Sequence, residues 1–381
     1  MKVAILGFGT VGSGAYEIIR DGKCGLTVKR VLDVRVPAGY EELVTTDYQV
    51  ILSDPEIEIV AEAIGGLHPA YEFVTAALRA GKHVVSANKH LICHYYKELH
   101  ELAAELGCEI RFTPSAGGGI PWLYNLRRAA RCDKIESLRG IMNGTTNYIL
   151  DAMQHLGSDF AEVLATAQAL GYAKADPSAD IDGWDVRRKC AISASLAFHT
   201  VLGEEDVPTF GIRYITKEDI AYFESLDLSC KLLACAREEN GRVTAYVEPT
   251  LLPSGAIESA IGSNFNCISL WGKYVGCLSF VGQGAGKYPT GNALVQDMLD
   301  IMEHSGKTPI SLTAPVMDQT IYPHRYYIRT NAPVPCDVIE RRDGNKYITR
   351  PLTRTEIHTL ASAAANIDPQ AFFAGLEDSI V

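Results

Sequence analysis

The sequence predicts an α/β fold: a Rossmann-like doubly wound parallel sheet joined to a second α+β domain for substrate binding and dimerisation. Three observations carry this. A short apolar strand at the amino terminus runs straight into Gly7-x-Gly9-x-x-Gly12. Strand and helix periods alternate as far as residue 113, and beyond Pro114 they give way to a glycine run and then to longer mixed segments. At 381 residues the chain can bury two cores, since domains usually hold about 100–200 residues.

In order, the pattern predicts a strand at 3–6, a helix at 11–20, strands at 28–34 and 59–64, a helix at 68–80, a strand at 83–86, a helix at 95–106 and a strand at 109–113. The run Gly117-Gly118-Gly119 with Pro121 marks the exit from the nucleotide domain, followed by a helix to about residue 131. Beyond it come a strand at 136–142, helices at 148–156, 160–170 and 184–199, and strands at 244–252, 267–271 and 275–281. An amphipathic helix at 290–304 returns to the nucleotide domain, and strands at 326–329 and 347–350 and a helix at 354–366 complete the chain. The expected domains are 1–128, completed by about 288–310, for the dinucleotide; 129–287 for substrate, catalysis and dimerisation; and 311–381 as a short carboxyl-terminal extension. No internal repeat and no low-complexity tract interrupts this plan.

Composition narrows the function. Apolar residues make up 47% and charged residues 21%, with no run of 18 apolar positions to span a membrane. The net charge of -11 and the short basic clusters without interleaved aromatics argue against nucleic acid. The start MKVAILGFG has no small-residue cleavage site, and the ten cysteines fall in no CxxC or other ligand spacing, so they read as reduced thiols in a cytoplasmic protein. A small-molecule substrate remains.

The glycine fingerprint alone is weak, but here a strand precedes it, a helix follows, and Asp33 ends the second strand 21 residues after Gly12. Gly7 suits the tight turn, Gly9 the close approach to pyrophosphate, and Gly12 the helix–strand contact, with the helix amides facing the phosphates. Asp33 suits ribose hydroxyls and repels a 2′-phosphate, whereas Arg35 neutralises one; the balance favours NAD and leaves NADP open. Two loops, Ala63-Ile64-Gly65-Gly66 and Ser86-Ala87-Asn88-Lys89, belong at carboxyl ends of strands, where open α/β sheets bind ligands.

The run Gly171 to Lys189, GYAKADPSADIDGWDVRRK, gathers Asp176, Asp180, Asp182, Asp185 and Lys189, the last two an i,i+4 pair. With Asp182 as helix cap, Asp185 falls in the first turn and Lys189 one turn later on the same face. Upstream, Asn143-Gly144-Thr145-Thr146-Asn147 offers amides and hydroxyls between a strand and a helix, and also reads as a helix cap.

Taken together, GFGTVG, SANK, SAGGGIP, GIMNGTTNYIL, GYAKADPSADIDGWDVRRK and GQGAGKYPT, in this order, resemble the homoserine dehydrogenase family over roughly residues 1–310. The resemblance implies reduction of aspartate 4-semialdehyde to homoserine with NAD(P)H in threonine and methionine biosynthesis, by a homodimer. Long members carry a carboxyl-terminal ACT domain, and this chain is too short after 310 for a full one. By resemblance, Lys189 is the acid/base, Asp185 holds substrate and lysine, Asp180 borders the substrate and Lys89 sits near the reacting centre. Gly144, Thr145, Tyr172 and Lys174 join Asp180 and Asp185 around the substrate. The expected cofactor contacts are Gly7, Phe8, Gly9, Thr10, Val11, Gly12, Asp33, Arg35, Ile64, Gly65, Asn88, Lys89, Ser115 and Gly284. A monovalent cation, Na+ or K+, maps to the main-chain carbonyls of Thr113, Ala116, Gly118 and Ile120.

Two positions depart from the family pattern. Lys174 stands where GYAEADP has a glutamate for the substrate ammonium, and Thr113-Pro114 stands where Glu-Ala is common. Three readings of Lys174 follow: it pairs with Asp176 or Asp180 and points away; it selects a related hydroxy acid without an amino group; or the chain is a non-catalytic, NAD-responsive regulatory protein.

Overall fold

A computed structural model of the chain describes residues 1–22, 24–304 and 312–377. It divides into two compact units, one of Met1–Asp133, Ser195–Gly203 and Gly282–Ala314, the other of Lys134–Ala194, Glu204–Val281 and Pro315–Val381.

The first unit holds six strands, β1 (Lys2–Leu6), β2 (Thr27–Leu32), β3 (Val44–Thr45), β4 (Ile57–Glu62), β5 (His83–Ser86) and β6 (Ile110–Arg111). They pair in parallel in the order β3-β2-β1-β4-β5-β6. From Val3 onward β1 is fully buried, as a parallel strand covered on both faces must be. Val3 and Ile5 share a core with Ala15 and Ile19 of the helix Thr10–Gly22 and with Leu294, Met298 and Ile301 of the helix Lys287–Met302. Chain order reverses about β1, which lies between β2 and β4, and ligands bind doubly wound sheets at the carboxyl ends of the strands flanking such a reversal.

Two expectations shift here. The helix expected at 95–106 is present as Tyr96–Glu105, and a second, unexpected helix, Lys89–His94, runs directly into it. The strand expected at 109–113 shortens to β6, because Pro114 has no amide hydrogen to continue the ladder and sits inside a 3-10 turn, Thr113–Ser115. Of the segment 288–310 expected to complete this unit, residues 305–310 lie outside those described.

The second unit is a ten-stranded mixed sheet: β7 (Ile135–Ile141), β8 (Leu228–Glu239), β9 (Arg242–Pro253), β10 (Phe265–Gly272), β11 (Gly276–Gln283), β12 (Val316–Met317), β13 (Tyr326–Arg329), β14 (Ile339–Asp343), β15 (Lys346–Thr349) and β16 (Phe372–Leu376). Its order is β11-β10-β7-β8-β9-β16-β13-β15-β14, with β12 beside β9. The expected extension at 311–381 is therefore corrected as far as it is described: from Pro315 it belongs to this unit, because β16 pairs parallel to β9 through Gly375 and Leu376 and carries β13 to β15 with it. Residues 311 and 378–381 lie outside those described. The segment Ser195–Gly203, placed by sequence in the substrate domain, belongs to the first unit.

Candidate active site

In the first unit, β1 delivers Gly7 at a φ of +92°, in the left-handed region. A Cβ added at Gly12 would lie 1.9 Å from the Gly7 carbonyl oxygen, so helix and strand approach too closely for any side chain. At Gly9 an added Cβ meets nothing within 4 Å. The protein itself does not require glycine there, and the open space ahead of the helix amides is what an approaching phosphate needs. Thr10 opens that helix, and Val11 turns its side chain toward the core.

Asp33, just past β2, is held by two amides: Phe8 N donates to Oδ2 at 2.6 Å and Arg35 N to Oδ1 at 3.0 Å. The glycine loop and the expected ribose-binding carboxylate thus form one hydrogen-bonded unit, with the Arg35 side chain exposed.

The sequence reading missed Glu62, the last residue of β4. Its carboxylate accepts Ile64 N at 2.9 Å, Gly65 N at 3.1 Å, Ser86 Oγ at 2.6 Å and Asn88 Nδ2 at 3.3 Å. Burial pushes its carboxyl above the usual carboxylate range, against the pull of these four donors. One side chain therefore ties together the two loops expected at the cofactor; an acid closing the apolar stretch Ile59-Val60-Ala61 at the carboxyl end of the strand was the available signal. Asn88 caps the helix Lys89–His94 and donates to Gly66 O at 2.7 Å, leaving Lys89 half-buried in the first turn.

In the Thr113–Ile120 loop, Thr113 N donates to Asp297 Oδ2 at 2.8 Å, and burial raises that carboxyl to about 6. Ala116 is fully buried, Gly118 is left-handed and lies against the Gly284 carbonyl, and Ile120 O already accepts Trp122 N at 2.7 Å. Ser115 Oγ is buried with no hydrogen-bond partner, an orphan of the kind a bound group satisfies.

In the second unit β7 ends at Ile141, and Asn143 caps the helix Gly144–Leu156 by accepting Thr146 N at 2.9 Å. Gly144 and Thr145 thus occupy a first helical turn rather than a loop. A Cβ at Gly144 would strike Asn264 O at 2.5 Å, and Thr145 Oγ1 donates to Tyr172 O at 2.5 Å. Tyr172 is exposed, its ring edge-on to Tyr148 at 5.1 Å.

Asp182 does not cap the helix Trp184–Ala197. Arg187 N donates to Gly183 O, and the Asp182 carboxylate is taken by Arg213 at 2.7 Å through both Nε and Nη2. Asp185 nevertheless lies in the first turn, and Lys189 Nζ donates to its Oδ2 at 2.6 Å and to Met142 O at 2.7 Å. Lys189 is buried at 7% exposure, which an ammonium tolerates only with partners.

Asn143 was missed as a site residue. Its Nδ2 donates to Asp180 Oδ1 at 2.7 Å and to Asp185 Oδ2 at 2.9 Å, joining both carboxylates to the lysine. An Asn between a strand and a helix, three residues ahead of a threonine amide, was the legible signal. Burial first and the Asp185 charge second raise the Asp180 carboxyl, while the Asn143 amide and the cations of Lys189 and Lys174 oppose them. Lys174 is exposed and does not make the expected pair: Asp176 accepts Ser178 N and Asp180 accepts Asn143 instead.

Residues 7–113 match the family model described as the NAD binding domain of homoserine dehydrogenase, and residues 121–299 the model for homoserine dehydrogenase itself. The homoserine dehydrogenase of Bacillus subtilis is 39% identical over 339 residues, covering 84% of this chain and 78% of that protein. The chain belongs to the homoserine dehydrogenase family. Among solved structures, the homoserine dehydrogenase of Thiobacillus denitrificans superposes with a TM-score of 0.89 at 32% identity, over 99% of this chain and 98% of that one. That of S. aureus does so at 0.78 and 28%, over 99% of both chains. As a homoserine dehydrogenase family member the chain joins an NAD-binding Rossmann-like domain to an α+β domain. Among the described residues no helix is long and apolar enough to cross a membrane.

Proposed function

We propose that the chain is an NAD(P)-dependent oxidoreductase interconverting L-homoserine and L-aspartate 4-semialdehyde, with Lys189 as its proton carrier. The observation that carries this reading is the buried Lys189 ammonium, held at 2.6 Å by Asp185 beside Asp180 and Asn143. A reduced nicotinamide dinucleotide, which the Gly7–Gly12 turn and Asp33 would hold, would supply the hydride. As the new C–H bond forms, the carbonyl electron pair moves onto oxygen, and Lys189 stabilises that charge and then gives up a proton from Nζ. In the oxidative direction the neutral amine takes the hydroxyl proton. Asp185 keeps the lysine aimed, Gly144, Thr145, Tyr172 and Asp180 border the substrate, and Lys89 is assigned a catalytic role as a second cation.

The space ahead of Gly9, the two-amide grip on Asp33 and the orphaned Ser115 hydroxyl suit a dinucleotide. Asp33 favours NAD over NADP. The carbonyls of Thr113, Ala116, Gly118 and Ile120 are assigned to Na+ or K+; the Ile120 carbonyl has one lone pair left after Trp122 N. A homodimer is expected, supported by Tyr274, Val275, Leu278 and Val281, which leave apolar surface exposed at and beside the edge strand β11.

Lys174 favours a second reading, a hydroxy acid without an amino group, because an exposed cation whose charge acts on Asp180 stands beside that carboxylate. Oxidation of homoserine and of 4-hydroxybutyrate, followed at 340 nm with NAD and NADP and with sodium or potassium, separates the readings. Homoserine turnover is expected; turnover of 4-hydroxybutyrate alone transfers the site to the second reading, and turnover of neither refutes both. Lys174→Glu is expected to lower KM for homoserine roughly 10- to 100-fold, the worth of a charge-assisted hydrogen bond. An unchanged KM removes Lys174 from the specificity argument.

A further inference from the structure

The side chain of Asn143 is spent in full. Its Oδ1 accepts Thr146 N at 2.9 Å and Thr146 Oγ1 at 3.2 Å, which fixes the face of the amide that carries oxygen. Both Nδ2 hydrogens then point at carboxylates, one at Asp180 Oδ1 and one at Asp185 Oδ2. The residue is 5% exposed, so water does not compete for these bonds. Met142, immediately before it, holds Lys189 Nζ through its carbonyl at 2.7 Å. A single dipeptide at the end of β7 therefore grips the lysine with one residue and its aspartate with the next.

Capping alone does not explain the choice of asparagine. Serine and aspartate cap a helix comparably. Among the residues that favour the capping position, only asparagine places a cap-accepting oxygen and a two-hydrogen donor on one planar group.

We propose that Asn143 is a positioning residue for the reaction: its amide clamps Asp180 and Asp185 into one pair, and so fixes the direction in which Asp185 presents Lys189. This rests on the reading of Lys189 as proton carrier. The charged groups facing Asp180 are Asp185 and Lys189 from the helix Trp184–Ala197 and Lys174 from the preceding loop. Of the two carboxylates only Asp185 is held by the lysine at hydrogen-bond distance, whereas Asp180 accepts from the Asn143 amide. Removing that amide leaves Asp180 with less to oppose its burial and the neighbouring negative charge.

Asn143→Ser keeps the cap and removes the clamp. Its melting temperature is expected to stay within a few degrees of wild type, while kcat for homoserine falls roughly 10- to 100-fold, as loss of a hydrogen bond to a charged group implies. The acid limb of the kcat/KM profile is expected to move to higher pH. Asn143→Asp also keeps the cap but adds a third carboxylate, and is expected to lose more activity at neutral pH and to recover part of it as pH falls.

A readout free of substrate is the titration of the Asp180 carboxyl by carbon-13 NMR, assigned with Asp180→Asn. Its midpoint is expected to rise in Asn143→Ser. An unmoved midpoint together with an unmoved acid limb overturns the proposal and leaves Asn143 a cap. A shifted midpoint in a protein whose wild type does not oxidise homoserine refutes the substrate reading and leaves the clamp standing.

Discussion

Lys189 Nζ lies 2.6 Å from Asp185 Oδ2 across one helical turn, with the acid on the amino-terminal side. That order is the favourable one for an i,i+4 pair, since the carboxylate also meets the positive end of the helix. A lysine stem is flexible and its ammonium strongly hydrated, so a buried and fixed ammonium implies that its direction matters. Lys189→Ala is expected to lower kcat by about 10²- to 10⁴-fold, the usual worth of a general acid or base, with the NADH affinity unchanged by fluorescence titration. Undiminished turnover removes Lys189 from the mechanism.

Gly9 and Gly12 belong to one motif but answer to different neighbours. An alanine Cβ at residue 12 meets the Gly7 carbonyl at 1.9 Å, and at residue 9 it meets nothing within 4 Å. Gly12→Ala is expected to lower stability by about 1–3 kcal/mol or more, as overpacking does, and to show it in a thermal melt. Gly9→Ala is expected to melt like wild type and yet to bind NADH at least roughly 10-fold more weakly, because the methyl occupies the phosphate approach. Equal melting temperatures with equal NADH affinity in both variants would contradict the geometry.

Asp33 is aimed by Phe8 N and Arg35 N, so its charge stands at a defined place. Wild type is expected to prefer NAD over NADP in kcat/KM by about 10-fold or more, on the scale of an unfavourable charge contact. Asp33→Asn retains a hydrogen-bond acceptor and removes the charge, and is expected to narrow that ratio. A ratio unaffected by the substitution assigns the choice of cofactor to another residue.

His100 sits between Tyr96 and Phe112, with Nδ1 at 2.7 Å from Tyr96 O and Nε2 sealed from solvent without a partner. Burial lowers its pKa to about 4 from the ordinary 6.5, the Tyr96 carbonyl opposing and Arg127 assisting. The unfolded chain therefore takes up a proton below about pH 6.5 that the folded chain refuses until about pH 4, and stability falls across that window. The full effect is roughly 3 kcal/mol by linkage. His100→Phe, compared with wild type by urea unfolding at pH 7 and pH 4.5, is expected to flatten the fall. An equal fall in both proteins would show that His100 titrates normally.

Legibility followed the reach of each interaction. In the first unit β1, β2, β4 and β5 were read to within about two residues, because apolar runs mark the buried parallel strands and the glycine fingerprint marks the turn after β1, whereas the two-residue β3 and the short helices Gln49–Leu52 and Lys89–His94 carry too few residues to show a period. The second unit was read less well. β8 was missed, although Asn240-Gly241 between alternating segments is a strong hairpin signal and both residues take positive φ in the turn; the buried run LSCKLLACA hides the alternation.

The sequence by itself determined the family, the alternation of strands and helices around the glycine turn, and the Asp185–Lys189 pair, the last two of which rest on contacts within a few turns of chain. Only the tertiary structure decided that Asn143 reaches 37 residues to Asp180 and 42 to Asp185, that Glu62 ties two loops together, and that Asp182 goes to Arg213 rather than to a helix end. It also decided that the carboxyl-terminal strands extend the second sheet beside β9. A local pattern states which groups a residue offers. Which of several equally suitable partners accepts them depends on where the strands and helices place those partners in space, and that is set by packing distributed over the whole unit.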